Sequence, residues 1–213
     1  MASGMTQKSG KPKVYLVDDD PDVREAIAFL LELEGYAVEP FGDPERMLET
    51  LDADARGCLL LDVRMPGMDG LALHQTLKKR GIAMPAVFIS GHGDIPMAVR
   101  AVNAGALDFI EKPFDDEVLL ERVGRAFELD ARRSETEAEM AEVRRRLEQL
   151  TPRERDVLRG IVDGRLNKQI ADDLDISVRT VELHRGRVLE KLEATNAADL
   201  VRMVLPLEAP GAS

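Results

Sequence analysis

Four apolar runs in this chain each lead into a residue that can handle a metal ion, a phosphate or concentrated negative charge. Residues 58–61 run into Asp62, and residues 14–17 into Asp18, Asp19 and Asp20. Residues 86–89 run into Ser90, while Phe109, Ile110 and Glu111 lead to Lys112 and Pro113. Magnesium prefers oxygen ligands and keeps several waters, so one or two carboxylates beside a phosphate suit it. Asp18, Asp19 and Asp62 could hold that ion and present Asp62 as a carboxylate nucleophile to a phosphoryl donor. The charge arriving with the phosphoryl group needs donors, and the Lys112 ammonium and Ser90 hydroxyl are of the right type. An acidic cluster alone is usually solvated surface. Here the acids, the hydroxyl and the ammonium all fall where apolar runs stop, which is a more specific pattern.

Such chemistry requires residues far apart in sequence to meet. Apolar runs at 14–17, 37–41, 58–61, 86–89 and 107–110 alternate with amphipathic segments, such as the one carrying Val23, Ile27, Leu30 and Leu31. Pro21, Pro44 and Pro96 stand where helices should begin, and Gly35, Gly81 and Gly105 where they should end. The alternation predicts an α/β fold over residues 13–127, a (βα)5 doubly wound parallel sheet with helices on both faces. Sites in such sheets form beyond the carboxyl ends of the strands, where Asp18, Asp19, Asp62, Ser90 and Lys112 all fall.

The composition changes after residue 127. Residues 128–150 are rich in Glu and Arg, contain no Gly or Pro, and carry a thin apolar stripe of Met140, Val143, Leu147 and Leu150. This predicts a solvated helical linker rather than a lone coiled coil, which needs several heptads. Thr151-Pro152-Arg153-Glu154 is a capping box with Pro at the first helical position, and it opens a second, all-α domain over 151–205. Asn167, Ser177 and Asn196 are further candidate caps, giving four short helices. The middle pair, joined by Asp175-Ile176-Ser177, has the size and turn of a helix-turn-helix. Residues 1–12 and 206–213 read as disordered tails.

The 213 residues are 44% apolar and 32% charged, the composition of a globular, water-soluble chain. No apolar stretch reaches membrane-spanning length and no signal-peptide pattern is evident, so no membrane partner and a cytoplasmic location are expected. The single Cys58 excludes an internal disulfide, and three histidines with one cysteine lack zinc-ligand spacing. The net charge is −11, with 14 Lys/Arg against 22 Asp/Glu up to residue 125 and 10 against 11 beyond residue 150. Bulk charge therefore cannot hold this chain on DNA, and any such binding needs a local basic surface. The helix expected over 178–192 supplies one: Arg179, Arg185, Arg187 and Lys191, with Lys168 on the preceding helix. Val181, Val188 and Leu192 form its inward stripe.

Residues 13–127 resemble the receiver domain of a two-component response regulator. The resemblance rests on Val17-Asp18-Asp19-Asp20, on the stretch from Leu61 to Gly70 (LDVRMPGMDG), on Ile89-Ser90-Gly91-His92-Gly93-Asp94 and on Glu111-Lys112-Pro113-Phe114. Residues 151–205 resemble a LuxR-type DNA-binding domain, and the pairing is most similar to the FixJ/NarL family, closer to FixJ. The resemblance implies Asp62 as phosphoacceptor and Asp18 and Asp19 as magnesium-site acids, with the Arg64 backbone carbonyl as a further ligand. It implies Ser90 and Lys112 as phosphoryl contacts and Phe109 as a switch aromatic. In the second domain it implies Glu182, Leu183 and Gly186 as the positions facing base edges. Glu182 could accept from a cytosine amino group and Leu183 could touch a thymine methyl. Thr180, Arg179, Arg185, Arg187 and Lys191 would then bind phosphates, which position the domain rather than specify sequence.

The function expected is a phosphorylation-dependent transcriptional regulator rather than an enzyme, since the receiver promotes only its own phosphorylation and dephosphorylation. A sensor histidine kinase would donate to Asp62 with magnesium present. The active form would dimerise on double-stranded promoter DNA and act on RNA polymerase. Two alternatives stay open: a phosphate sink or interaction module with incidental DNA contact, and a constitutive DNA-binding protein with a vestigial receiver. Arg64 and His92, each two residues past a site residue, could crowd the water that hydrolyses the phosphoryl group, or be plain rim residues.

Overall fold

A computed structural model describes residues 12–91 and 95–208. His92 and the segments 1–11 and 209–213, including most of both expected tails, lie outside the described residues. The chain divides into two compact units, Met1–Arg133 and Ser134–Ser213.

In the first unit the described residues form five parallel strands: β1 (Lys13–Val17), β2 (Val38–Phe41), β3 (Gly57–Asp62), β4 (Ala86–Ser90) and β5 (Asp108–Glu111). They are ordered β2-β1-β3-β4-β5. Helices α1 (Pro21–Leu33), α2 (Pro44–Thr50), α3 (Gly70–Lys79) and α4 (Ile95–Asn103) connect them, and α5 (Asp116–Glu148) follows β5. The expected (βα)5 sheet is the observed one.

Strands buried on both faces need apolar residues on both faces, so they read as continuous runs rather than alternations. Val14, Leu16, Cys58, Leu60, Val87, Ile89 and Ile110 enter one core with Ile27 and Leu31 of α1 and Leu119, Val123 and Ala126 of α5. Their neighbours in sequence, Tyr15, Val17, Leu59, Leu61, Ala86 and Phe88, point the other way against Met47, Leu73, Leu77 and Ala101. Leu59, Leu60 and Leu61 are fully buried, each worth about 1.5–3 kcal/mol of transfer free energy. Cys58, beside them, is wholly buried, and burial pushes its thiol pKa up.

Helix ends follow the expected punctuation. Pro21 and Pro44 occupy first turns behind the caps Asp20 and Asp43. Asp20 is therefore a cap: its Oδ1 accepts from the Asp22 and Val23 amides at 3.0 and 3.3 Å. At Gly81, φ is +82° where α3 ends, a left-handed conformation that glycine adopts without strain.

The expected linker is helical and mostly exposed over residues 131–142, but its two ends are packed rather than solvated. The helix runs unbroken from Asp116 to Glu148, and the division between units falls within it, at Arg133/Ser134. On the first unit's side, Asp130 is 2% exposed and receives Arg56 from the start of β3 through Nε at 3.1 Å and Nη2 at 3.1 Å. On the other side, Val143 and Leu150 are buried and Leu147 packs against the second core. The stripe is a packing surface, because an apolar face at three-to-four spacing is more stable covered than wet.

The second unit holds α6 (Pro152–Val162), α7 (Asn167–Leu174), α8 (Val178–Leu192) and α9 (Ala197–Glu208), with no strand among the described residues. The capping box at Thr151 and Glu154 is present in both directions. Ser177 caps α8 and Asn196 Oδ1 accepts from the Asp199 amide at 2.9 Å. Asn167 does not cap α7. The helix begins at Asn167, and Gln169 Oε1 accepts from the Leu166 amide at 2.8 Å in the cap's place. Helix α9 continues past residue 205 to Glu208, with Pro206 in its last turn.

Candidate phosphoacceptor site and DNA-binding surface

The strand order reverses direction between β1 and β3, and a crevice opens there at their carboxyl ends. Asp18 follows β1 and Asp62 ends β3; they are 1% and 6% exposed. Lys112, after β5, lies between them, its Nζ 2.7 Å from Asp18 Oδ2 and 2.8 Å from Asp62 Oδ1. The second Asp62 oxygen accepts the Arg64 amide at 2.7 Å, and Asp18 Oδ1 accepts the Asp20 amide at 3.0 Å. Two buried carboxylates thus share one ammonium, leaving a net negative charge. Burial raises the Asp62 pKa, outweighing the lowering by Lys112. For Lys112 burial acts to lower the pKa, and the bonds to Asp18 and Asp62 prevail to raise it.

Ser90 ends β4, 1% exposed, with its Oγ 3.8 Å from Met97 Sδ on α4. Its carbonyl accepts the Lys112 amide at 2.8 Å, tying the ends of β4 and β5 together. The Lys112-Pro113 peptide is cis. Phe109 is half-buried against the core that also contains Met97 and Ala101. Asp19 and the Arg64 side chain are exposed at the rim. Asp18, Asp62, Ser90 and Lys112 are therefore brought together, whereas Asp19 stands at the edge.

Among the described residues no three His, Cys, Asp or Glu side chains converge into a ready-made metal cage. Magnesium does not need one, since it takes one or two carboxylates and completes its shell with water and phosphate oxygens. Two nearly buried carboxylates compensated by a single cation are a donor set that fits a hard divalent ion. Sequence reading missed two supports of this crevice. Arg24 donates through Nη1 to the Asp18 carbonyl at 2.6 Å, and its signal was only a basic residue six positions after Asp18. Gly70 opens α3 so close to β3 that a Cβ there would lie 2.2 Å from the Asp62 carbonyl oxygen.

In the second unit, α7, a turn with Asp175 at φ 52°, and α8 form a helix-turn-helix. Val181, Val188 and Leu192 are buried with Ile170, Ala171 and Leu200. Lys168, Arg179, Glu182, Leu183, Gly186 and Arg187 are exposed, with Leu183 54% so, and Arg185 and Thr180 are partly exposed. Nothing lies within 4 Å of a Cβ added at Gly186. The Thr180 hydroxyl lies 2.7 Å from that of Ser177. Lys191 departs from the expected phosphate contact. Its Nζ lies 2.7 Å from Glu154 Oε2, 2% exposed, and 3.1 Å from the Gln149 carbonyl. The ammonium beside Glu154 holds that carboxyl down at about 2. A cation so committed to a nearly buried carboxylate, with its own side chain 33% exposed, braces the domain as a structural strut.

A parallel sheet with two buried carboxylates bridged by a lysine at its switch point, followed by a capped helix-turn-helix, has the layout of a regulator with separate input and output modules. Residues 14–124 match the family model described as the response regulator receiver domain. Residues 148–204 match the model described as bacterial regulatory proteins of the luxR family. The chain belongs to the response regulators that join these two modules, and it is a phosphorylation-dependent, DNA-binding transcriptional regulator. It is 46% identical to the transcriptional regulatory protein FixJ of Rhizobium meliloti over 90% of this chain and 94% of FixJ. It is 42% identical to nodulation protein W of Bradyrhizobium diazoefficiens, over 94% and 88% of the two chains. Among solved structures it resembles response regulator StyR, with a TM-score of 0.79 and 41% identity over 92% of this chain and all of that one.

Proposed function

We propose that Asp62 is the phosphoacceptor of this regulator, with a sensor histidine kinase as donor. A carboxylate oxygen of Asp62 attacks phosphorus, the bond to the donor's imidazole nitrogen breaks, and an acyl phosphate forms as the imidazole takes up a proton. The observation that carries this reading is Lys112 shared between two buried carboxylates, Asp18 and Asp62. Its ammonium can leave Asp62 Oδ1 for a phosphoryl oxygen while keeping Asp18, so the donor is preorganised. The Arg64 amide keeps the other oxygen oriented. Asp18, Asp19, Asp62 and the Arg64 carbonyl would hold magnesium, which neutralises charge on the transferring oxygens. Ser90 would bind the phosphoryl group by turning its hydroxyl toward it, and Phe109 would follow into the space that movement leaves.

The active form dimerises on near-palindromic promoter DNA, as the symmetry of such regulators requires, and acts on RNA polymerase. Glu182, Leu183 and Gly186 face base edges; Lys168, Arg179, Thr180, Arg185 and Arg187 contact phosphates. The exposed basic set on α7 and α8, among residues 151–213 whose 10 Lys/Arg nearly balance 11 Asp/Glu, supports this. The test is a gel shift of wild type and Asp62→Ala with and without acetyl phosphate and magnesium. Acetyl phosphate should strengthen binding by wild type and leave Asp62→Ala unchanged. Equal binding by every form removes the phosphorylation switch, and binding by none leaves a phosphate sink or interaction module.

A further inference from the structure

The carboxyl end of α8, the helix bearing the base-facing positions, is held by α5. Arg146 is 18% exposed and makes three directed contacts. Its Nη1 donates to the Leu192 carbonyl at 3.2 Å, its Nη2 lies 2.8 Å from Glu193 Oε2, and its Nε lies 2.8 Å from Glu142 Oε1 on α5. Leu192 is the last residue of α8, and Glu193, at φ 53°, terminates it. The last carbonyls of a helix have no partner within it and carry its partial negative charge, so a cation placed there is favoured twice over. Glu142, bonded by both Arg145 and Arg146, has its carboxyl held down at about 2. The guanidinium fork is thus fixed on its own helix before it reaches α8.

The geometry points to Arg146 as a positioning residue that couples α5 to the aim of the recognition helix. All its contacts lie within the second unit, but the helix carrying it begins at Asp116 and contributes Leu119, Val123 and Ala126 to the receiver core. A change in the winding or position of the last turns of α5 would therefore act on Leu192 and Glu193 through a planar, multiply bonded grip. Helix α8 has 15 residues, roughly 22 Å of rise. A tilt of about 5° about its held end would move the opposite end by ~2 Å, enough to misplace base-edge hydrogen bonds. Lys191 grips the same end, but its partners lie in the α5–α6 turn and α6, so it sets the domain's packing rather than reading α5.

This inference rests on the phosphorylation switch proposed above, and its test separates the two. Full-length wild type, Arg146→Ala and Glu193→Gln are titrated by fluorescence anisotropy onto a duplex selected from a random pool by phosphorylated wild type. Each is measured with and without acetyl phosphate and magnesium, and the readout is the ratio of the two affinities. Arg146→Ala should cut that ratio about fivefold, the lower range of measured couplings, with acyl-phosphate yield unchanged. Glu193→Gln, which leaves the guanidinium and its carbonyl contact in place, should cut it less. If Arg146→Ala weakens binding equally in both states and leaves the ratio at the wild-type value, the residue is merely structural and the inference fails. Should Arg146→Ala unfold the second domain, the ratio for Glu193→Gln decides alone: below wild type upholds the coupling, and equal to it overturns it. A wild-type ratio of one would remove the proposed switch, and this inference with it.

Discussion

At the scale of single residues, two buried ionisable groups in the receiver pull stability in opposite pH directions. Burial raises the Asp62 pKa, so the protonated form suits the folded state and ionisation costs stability as pH rises through the folded value. Replacing Asp62 by Asn should stabilise the receiver, and by more at pH 7 than at pH 4, as urea titrations at both values would show. An increment independent of pH would mean that burial of the charge is not its source. His74 behaves the other way. It is 2% exposed, packs edge-on against Phe88 with ring centroids 5.6 Å apart, and has no partner for Nδ1. Burial, aided by Lys78, lowers its pKa to about 4. The neutral ring therefore supports the fold fully above pH 6.5, and that support is lost as pH falls from 6.5 toward 4. His74→Met should flatten the acid side of the stability profile by about 1–2 kcal/mol after solvent screening. That Asp18, Asp62, Ser90 and Lys112 would come together was legible in the sequence because each sits where an apolar run stops. His74 was not, because a lone histidine on a helix gives no sign of which face it will occupy.

At the scale of elements, the closeness of α3 to β3 makes a sharp demand on one side chain. A methyl at residue 70 would overlap the Asp62 carbonyl oxygen, a backbone atom that cannot swing away. Gly70→Ala should cost about 1–3 kcal/mol and reduce phosphorylation of Asp62, measured by thermal unfolding and by acetyl-phosphate labelling. In the second unit, Lys191 and Arg187 should respond in contrasting ways. Lys191→Ala leaves Glu154 charged and nearly buried without its partner, so it should lower the domain's stability by about 1–3 kcal/mol. The salt dependence of DNA binding should then be unchanged. Arg187→Ala should leave stability alone and reduce the salt slope by about 1. Equal slopes for both variants would undo this division. Periodicity located the strands and helices because sheet and helix repeats differ. It could not show that the stripe on residues 140–150 has a partner, since an amphipathic helix reads alike whether or not its apolar face is covered. Nor could it separate Lys191 from the basic set, because the carboxylate that claims it lies 37 positions away.

At the scale of the whole molecule, the charge distribution decides how DNA can be held. A chain of net charge −11 is repelled by DNA at long range, so attraction needs a local basic surface, which the exposed cations of α7 and α8 supply. Specific binding by the phosphorylated form should therefore fall steeply with salt. An Arg179→Ala, Arg185→Ala double variant should reduce the salt slope by about 2 and keep the remainder through Lys168 and Arg187. The two-module layout was readable from the composition change and the capping box, whereas the continuity of α5 across the unit division was not. Propensity marks residues 116–148 as helical throughout but cannot say that no break intervenes. One further property follows from the lone sulfhydryl. Cys58 lies in the central strand, wholly buried, with its thiol disfavoured from ionising, so alkylating reagents meet it only when the sheet parts. With no second cysteine to add background, the rate at which intact protein gains one label is a built-in clock for receiver opening. Mass spectrometry could read that clock with the kinase, the DNA or neither present.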